Sequence, residues 1–297
     1  MNYETFLGAV ERGLSERFSD DIAVTLHRTV KNNGLEKQGI TITKKNVNIS
    51  PTIYLEEFYK QYQNGRSIEE IVKKIDRVYH EVRYEESFDV QTIQKYENLK
   101  DKILFKLINR EKNKKLLETV PYIEYQDLVL VFYVLLDVRK GGSATILITE
   151  SMRKMWGVNL DELYEIAQRN GRRLMPATLL PIGEVIKELF AEYSEVEESV
   201  EEVTGEMYVL TNEIRNLGAA VIAYDHVLEM IAEKLQTSFY VLPSSIHEVI
   251  LVCNGENIRR EELDKTIQEV NQTQVEQEEI LGNHAYYYDR VSKALYF

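Results

Sequence analysis

The chain has 297 residues, 44% of them hydrophobic and 29% charged, and a formal net charge of -13. This apolar fraction excludes an intrinsically disordered chain, and the length suits about two domains. The acidic average field repels phosphate polymers and anionic lipid, so nucleic acid is disfavoured as a partner unless a local basic patch receives it.

From the start of the chain, Met1 to Leu7 has neither a basic nor an apolar leader region, so no signal peptide is expected. Phe6, Val10, Leu14 and Phe18 recur at helical spacing. Ile22 to Val30 alternates like a strand, and Gly39 to Thr43 resumes the alternation. Asn32-Asn33-Gly34 between them is a turn signal, because Asn and Gly tolerate positive φ, so a hairpin is expected. Ser50-Pro51 reads as an N-cap followed by proline at the first helical position, with Tyr54, Phe58 and Tyr62 on one face and Gly65 as the stop. Ser67-Ile68-Glu69-Glu70 is a capping box that opens a further helix, with Ile71, Ile75, Val78 and Val82 inward. More helix is expected across 89–99, which completes a first α+β unit of residues 1–100.

Residues 101–297 make the second, larger part. The stretch Lys95 to Lys115 is locally basic, with a net charge of +5, and offers Lys106, Arg110, Lys112, Lys114 and Lys115 as candidate binding residues. Leu104, Phe105 and Leu107 within it look like strand core rather than stacking platforms for bases. A solvated loop or an acidic protein partner suits this stretch better than nucleic acid. Ile103 to Ile108 and Leu128 to Val138 read as strands. The second is almost continuously apolar, which places it centrally in a sheet covered on both faces. Its apolar run, Leu128 to Leu136, is the longest in the chain and falls short of the ~20 residues a membrane-spanning helix needs.

Gly141-Gly142 is a turn, since no Gly-Lys-Ser/Thr ending follows and the next element is a strand, Ala144 to Ile148. Helices are expected over Glu150 to Trp156 and from Asn159 to about Gln168. Residues 183–206 carry a net charge of -8 on a helix whose apolar stripe is Val185, Leu189, Val196, Val200 and Val203. Like charges at i,i+4 oppose such a helix, so it either stands in water or docks on a basic surface. Strands Met207 to Asn212 and Ala219 to Ala223, a helix Asp225 to Gln236, and strands Ser238 to Leu242 and Glu248 to Val252 follow. A helix from Asn257 to about Asn271 and a final hairpin, Ala285 to Tyr288 and Ala294 to Phe297, complete the chain. The single cysteine, Cys253, permits no intrachain disulfide, which fits a reducing compartment.

Residues 133–155 overlay 208–230 without a gap, and both read strand, turn, strand, helix. Five of the 23 aligned positions are identical, which leaves a true β-β-α repeat and convergent patterning both open.

Ser244, Ser245, His247 and Glu248 are the candidate catalytic residues. A zinc-protease reading of His247-Glu248 needs a second histidine one helical turn on, where Leu251 stands. Strand geometry would also point adjacent side chains to opposite faces. The two serines sit in a turn between strands rather than at a strand-to-helix elbow. The five histidines are widely spaced, and no metal or cofactor is expected.

The stretches Leu26 to Gly34 (LHRTVKNNG), Ile49 to Gly65 (ISPTIYLEEFYKQYQNG), Leu107 to Pro121 (LINREKNKKLLETVP), Met207 to Asn212 (MYVLTN), Val241 to Val252 (VLPSSIHEVILV) and Val270 to Val275 (VNQTQV) together resemble the bacterial family termed domain of unknown function 5688. The resemblance implies no activity and transfers no functional residue. The residues themselves lead to an α+β fold of mainly antiparallel sheets with packed helices. They favour a non-catalytic cytoplasmic binding or adaptor protein with a protein partner. The alternative is a hydrolase whose site is assembled near the 243–248 turn.

Overall fold

The hydrophobic spacing at the start of the chain produces α1, Tyr3–Ser15, which opens at Asn2, whose side chain accepts the Thr5 N–H. The computed structural model describes residues 1–84, 87, 95–139, 142–189, 207–253, 255 and 258–297. They fall into two units, Met1–Gln91 and Thr92–Phe297.

In the first unit β1, Ile22–Val30, pairs antiparallel with β2, Glu36–Lys44, in an unbroken register from Ile22 opposite Lys44 to Val30 opposite Glu36. Asn33 lies at φ 61 in the connecting turn, as the Asn-Asn-Gly signal requires. A short β3, Thr52–Tyr54, pairs with the other side of β2. This corrects the helix start expected at Ser50-Pro51. Thr52, Ile53 and Tyr54 are β-formers, and Ile53 is buried opposite Ile40 in the ladder. The Ser50 hydroxyl donates to the Ile42 carbonyl at 2.9 Å instead of capping a helix. Helix α2, Glu56–Gln63, begins only after this strand.

Helix α3, Ile68–Val82, opens on the capping box read from the sequence. The Ser67 hydroxyl accepts the Glu70 N–H at 3.2 Å, and the Glu70 carboxylate accepts the Ser67 N–H at 2.8 Å. Ser67→Ala is therefore expected to cost about 1 kcal/mol, read as a lowered urea midpoint with unchanged slope. Phe6, Val10 and Leu14 of α1 share one core with Ile40, Ile42 and Ile53 of the sheet and Ile71, Ile75 and Tyr79 of α3.

The second unit starts with a single turn, α4, Tyr96–Leu99. Most of the helix expected across 89–99 lies outside the described residues. β4, Ile103–Asn109, is followed by the one-turn α5, Lys114–Leu117, then β5, Tyr122–Tyr125, β6, Leu128–Arg139, and β7, Gly142–Leu147. β6 is the central strand: β4 pairs with it, and so do β5 and β7. Leu128 to Leu135 are all buried, so both faces of this strand are covered.

After α6, Glu150–Trp156, and α7, Leu160–Leu174, come β8, Ala177–Pro181, α8, Ile182–Leu189, β9, Met207–Asn212, and α9, Val227–Leu235. Residues 190–206 of the expected acidic helix lie outside the described residues. β10, Phe239–Leu242, β11, Val249–Cys253, α10, Arg260–Thr273, β12, Tyr286–Asp289, and β13, Ala294–Tyr296, complete the unit. Six strands make one antiparallel sheet in the order β13-β12-β10-β11-β9-β8. Phe105 and Phe132 of the smaller sheet join Leu210, Phe239, Val241 and Tyr286 of the larger in one core. Among the described residues no helix is long and apolar enough to cross a membrane.

Three consecutive side chains at the β5–β6 connection tie the smaller sheet to the 3-10 helix at 218–223 and to the larger sheet. Tyr125 donates its hydroxyl to the Ile222 carbonyl at 2.7 Å, and the Gln126 amide donates to the Leu295 carbonyl at 2.9 Å. Asp127 accepts the hydroxyl of the fully buried Tyr286.

The candidate repeat is not structural. Ala219 to Ala223, expected as a strand, lie in a buried 3-10 helix, Gly218–Ala223. Leu217 enters it at φ 53, and the Ala219 N–H donates to the Ile246 carbonyl at 3.2 Å. Small residues at Gly218, Ala219 and Ala220 let this tight turn sink into the core, where a strand would need a ladder partner. β6 pairs directly with β7, whereas β9 pairs with β8 and β11. The five identities reflect patterning alone.

Candidate functional site

The segment 243–248 is laced down on two sides. The Gly282 N–H donates to the Pro243 carbonyl at 2.7 Å, the Leu281 N–H to the Ser244 carbonyl at 3.0 Å, and the Ile246 N–H to the Glu279 carbonyl at 2.8 Å. On the other side the Thr211 hydroxyl donates to the His247 carbonyl at 2.8 Å. β11 starts at Val249, so residues 244–248 form a turn and strand alternation does not separate their side chains.

This turn brings Ser245, His247 and Glu248 to one place, with Glu279 added. The buried Ser245 hydroxyl accepts the His247 N–H at 3.0 Å. Burial pushes the Glu248 carboxyl above its usual range and the nearby Glu279 adds to this, while His247 and the Ser245 hydroxyl act the other way. His247 Nδ1 faces the Leu217 N–H at 3.2 Å, and a backbone N–H only donates, so Nδ1 carries the lone pair. The proton is then on Nε2, 3.3 Å from Glu279 Oε1. Both imidazole nitrogens are occupied, and the Ser245 hydroxyl is turned into the protein. The cluster fastens the turn to residues 217 and 279. Ser244, half-buried, contributes its carbonyl to the same lacing. Glu279 has no sequence signal, because it reaches the turn from the far side of α10.

The basic stretch is partly neutralised by one acid inside its own window and one beyond it. Arg110 pairs with Glu124 at 2.8 Å and Lys114 with Glu111 at 2.6 Å. Lys106 is a half-buried residue of β4, and the Lys112 backbone N–H donates to Asn109 Oδ1 at 2.9 Å. Lys112 and Lys115 are exposed.

A more specific surface lies on the first unit, at the outer edge of β1. The Lys31 N–H bonds to the Leu35 carbonyl and the Lys45 N–H to the Asp21 carbonyl, both at 2.7 Å. These bonds set the phase of the hairpin: odd-numbered β1 residues turn their backbone groups to β2. Val24, Leu26, Arg28 and Val30 therefore turn theirs outward, and β1 is the terminal strand of its sheet. No bulge or proline interrupts its nine residues.

The ends of the six-stranded sheet and the far end of the first unit's own sheet are blunted in ways natural proteins use. β3 and β13 have three residues each, and Gln126 covers the Leu295 carbonyl of β13. β8 ends in Pro181 and runs straight into α8. The β1–β2 hairpin is also basic within an acidic chain: over residues 22–45, Arg28, Lys31, Lys37, Lys44 and Lys45 stand against Glu36 alone. Arg28 pairs with Glu36, and the Lys31 ammonium lies 4.0 Å from the centre of the Tyr54 ring.

Fold and surface together define a two-unit α+β protein of antiparallel sheets whose first unit presents, in a hairpin of basic composition, a nine-residue terminal strand that no other described strand pairs with on its outer side. The chain belongs to the family of unknown function DUF5688, which matches residues 3–290. No curated protein and no solved structure matches it.

Proposed function

We propose that the protein is a binding module that captures an extended acidic polypeptide segment along β1. The observation that carries this reading is the outward row of backbone groups at Val24, Leu26, Arg28 and Val30, on a nine-residue terminal strand that no bulge or proline interrupts and that no other described strand pairs with on that side. An added strand would satisfy these groups through main-chain hydrogen bonds, and the lysines of the hairpin would select acidic side chains. At the 243–248 turn the two His247 nitrogens and the Ser245 hydroxyl oxygen are already used in holding the fold, which disfavours hydrolysis at this turn. A reducing, cytoplasmic setting is consistent with the single buried cysteine.

The test uses a fluorescent synthetic peptide of alternating glutamate and valine, with a lysine-valine peptide as control. Saturable binding of the acidic peptide alone is expected, with new hydrogen-exchange protection at the outward amides. Arg28→Pro removes an outward N–H and no β1–β2 bond, so it should weaken binding by about tenfold or more while the hairpin persists. Arg28→Ala keeps the N–H and should weaken it less. Equal losses in the two variants, or concentration-dependent self-pairing through β1 in place of peptide binding, would overturn the reading.

A further inference from the structure

His284 differs from the other histidines in what its two nitrogens do. Its Nδ1 lies 3.1 Å from Asp264 Oδ2, and the other oxygen of that carboxylate accepts the Ala285 N–H at 2.7 Å. The carboxylate can only accept from the ring, so Nδ1 carries the proton and Nε2 the lone pair. Among the described residues nothing bonds to that Nε2, and the side chain is 47% exposed while Asp264 is 20% exposed. By contrast His27 Nε2 lies 3.4 Å from the Thr52 hydroxyl, His80 Nε2 lies 3.2 Å from Asp76, and His247 is occupied at both nitrogens. His226 also meets a carboxylate, Glu229, but is 74% exposed, and Lys293 competes for the same acid.

An imidazole held by a carboxylate at Nδ1, with Nε2 open, has the polarity of a general base. The backbone N–H from Ala285 fixes the carboxylate, so the ring is oriented before any substrate arrives. Beside it the Phe297 ring packs edge-on to His284, 5.8 Å between centres, and its face carries the Arg260 guanidinium at 5.4 Å. Arg260 is one turn before Asp264 on α10, and among the described residues no carboxylate pairs with it. Cation and base thus flank one aromatic ring.

We infer that Asp264 and His284 form a general-base site for hydrolysis of esters that bear a carboxylate, with Arg260 holding the carboxylate and Asp264 as the positioning residue. Nε2 takes a proton from water as the water oxygen bonds to the acyl carbon. The tetrahedral adduct then expels the alcohol by breaking its acyl C–O bond, and the alcohol oxygen recovers the proton from Nε2. One water and one ester give one acid and one alcohol, with no oxidation or reduction. This site is independent of peptide capture on the first unit, and failure of either leaves the other standing.

The full chain is assayed with mono-4-nitrophenyl glutarate and with neutral 4-nitrophenyl acetate. The wild type is expected to exceed free N-acetylhistidine at equal concentration and to prefer the anionic ester. His284→Gln should lower the rate by about tenfold or more, and Asp264→Asn should lower kcat with little change in KM. Arg260→Gln should abolish the preference for the anionic ester, and His226→Ala should change nothing. Diethyl pyrocarbonate on the unmodified wild type should label His284 first among the histidines, a readout that does not require any variant to fold. A rate no greater than free N-acetylhistidine, full activity in His284→Gln, an unchanged preference in Arg260→Gln, or earlier labelling of another histidine would each overturn the inference.

Discussion

Replacing Gly218 by alanine is expected to destabilise the second unit by about 3 kcal/mol or more, among the larger effects a single methyl group can have. A Cβ at this position would lie 2.1 Å from Thr211 Oγ1, 2.5 Å from the His247 carbonyl oxygen and 2.8 Å from the Asn212 nitrogen. Two of these three atoms are backbone, so no side-chain rotation relieves the clash. The same atoms include the Thr211–His247 hydrogen bond that ties β9 to the 243–248 turn. Relief would require moving the buried 3-10 helix, every residue of which lies in the core. Gly8→Ala supplies the control: it sits on α1, its nearest neighbour would be the flexible Arg12 guanidinium at 3.8 Å, and added helix propensity should stabilise by up to about 1 kcal/mol. Urea unfolding of the two variants should shift in opposite directions, and equal midpoints would refute the steric account.

Alkali should produce the other large effect. Burial pushes the phenols of Tyr133, Tyr224 and Tyr286 well above their ordinary range, and Asp127 raises Tyr286 further. In the unfolded chain each ionises near about pH 10. Below that the folded and unfolded states hold the same phenolic protons, and the contribution of these groups is fully present. Above it the unfolded chain loses protons that the folded chain keeps, so stability falls as pH rises. Three groups at about 1.4 kcal/mol per pH unit remove on the order of 4 kcal/mol by about pH 11. Denaturant titrations at about pH 8 and about pH 11, with phenolate absorbance as the probe of release, measure this directly. Equal unfolding free energies at the two values, or phenolate signal from these tyrosines before unfolding, would contradict it.

Local chemistry made much of the architecture legible. The 22–44 hairpin, the Ser67 capping box and the continuously apolar β6 follow from alternation, capping and burial on two faces. Ser50-Pro51 misled because a proline after serine suits an extended entry as well as a helix, and pairing with β2 decided between them. Ala219 to Ala223 misled because a buried 3-10 helix has the composition of a short apolar strand. β5 and β8, four and five residues long, carry too little pattern to stand out.

The site was less legible than the fold. Ser245, His247 and Glu248 are adjacent in sequence, but their roles are set by Glu279 and Leu217, which only the tertiary structure delivers. Asp264 and His284 lie 20 residues apart on a helix and a loop, a separation with no motif. That β1 is an edge strand is a property of sheet order, which no alternation within the strand records.

The clasp formed by Tyr125, Gln126 and Asp127 reaches partners 97, 169 and 159 residues further along. During synthesis these side chains emerge long before Tyr286 and Leu295 exist to receive them. The smaller sheet must therefore wait on the ribosome with its inner face uncovered, a period in which a holding chaperone would find Phe105 and Phe132 exposed. Among the described residues the core of the first unit is drawn from positions 3 to 79, so birth order should let it mature well ahead of the rest.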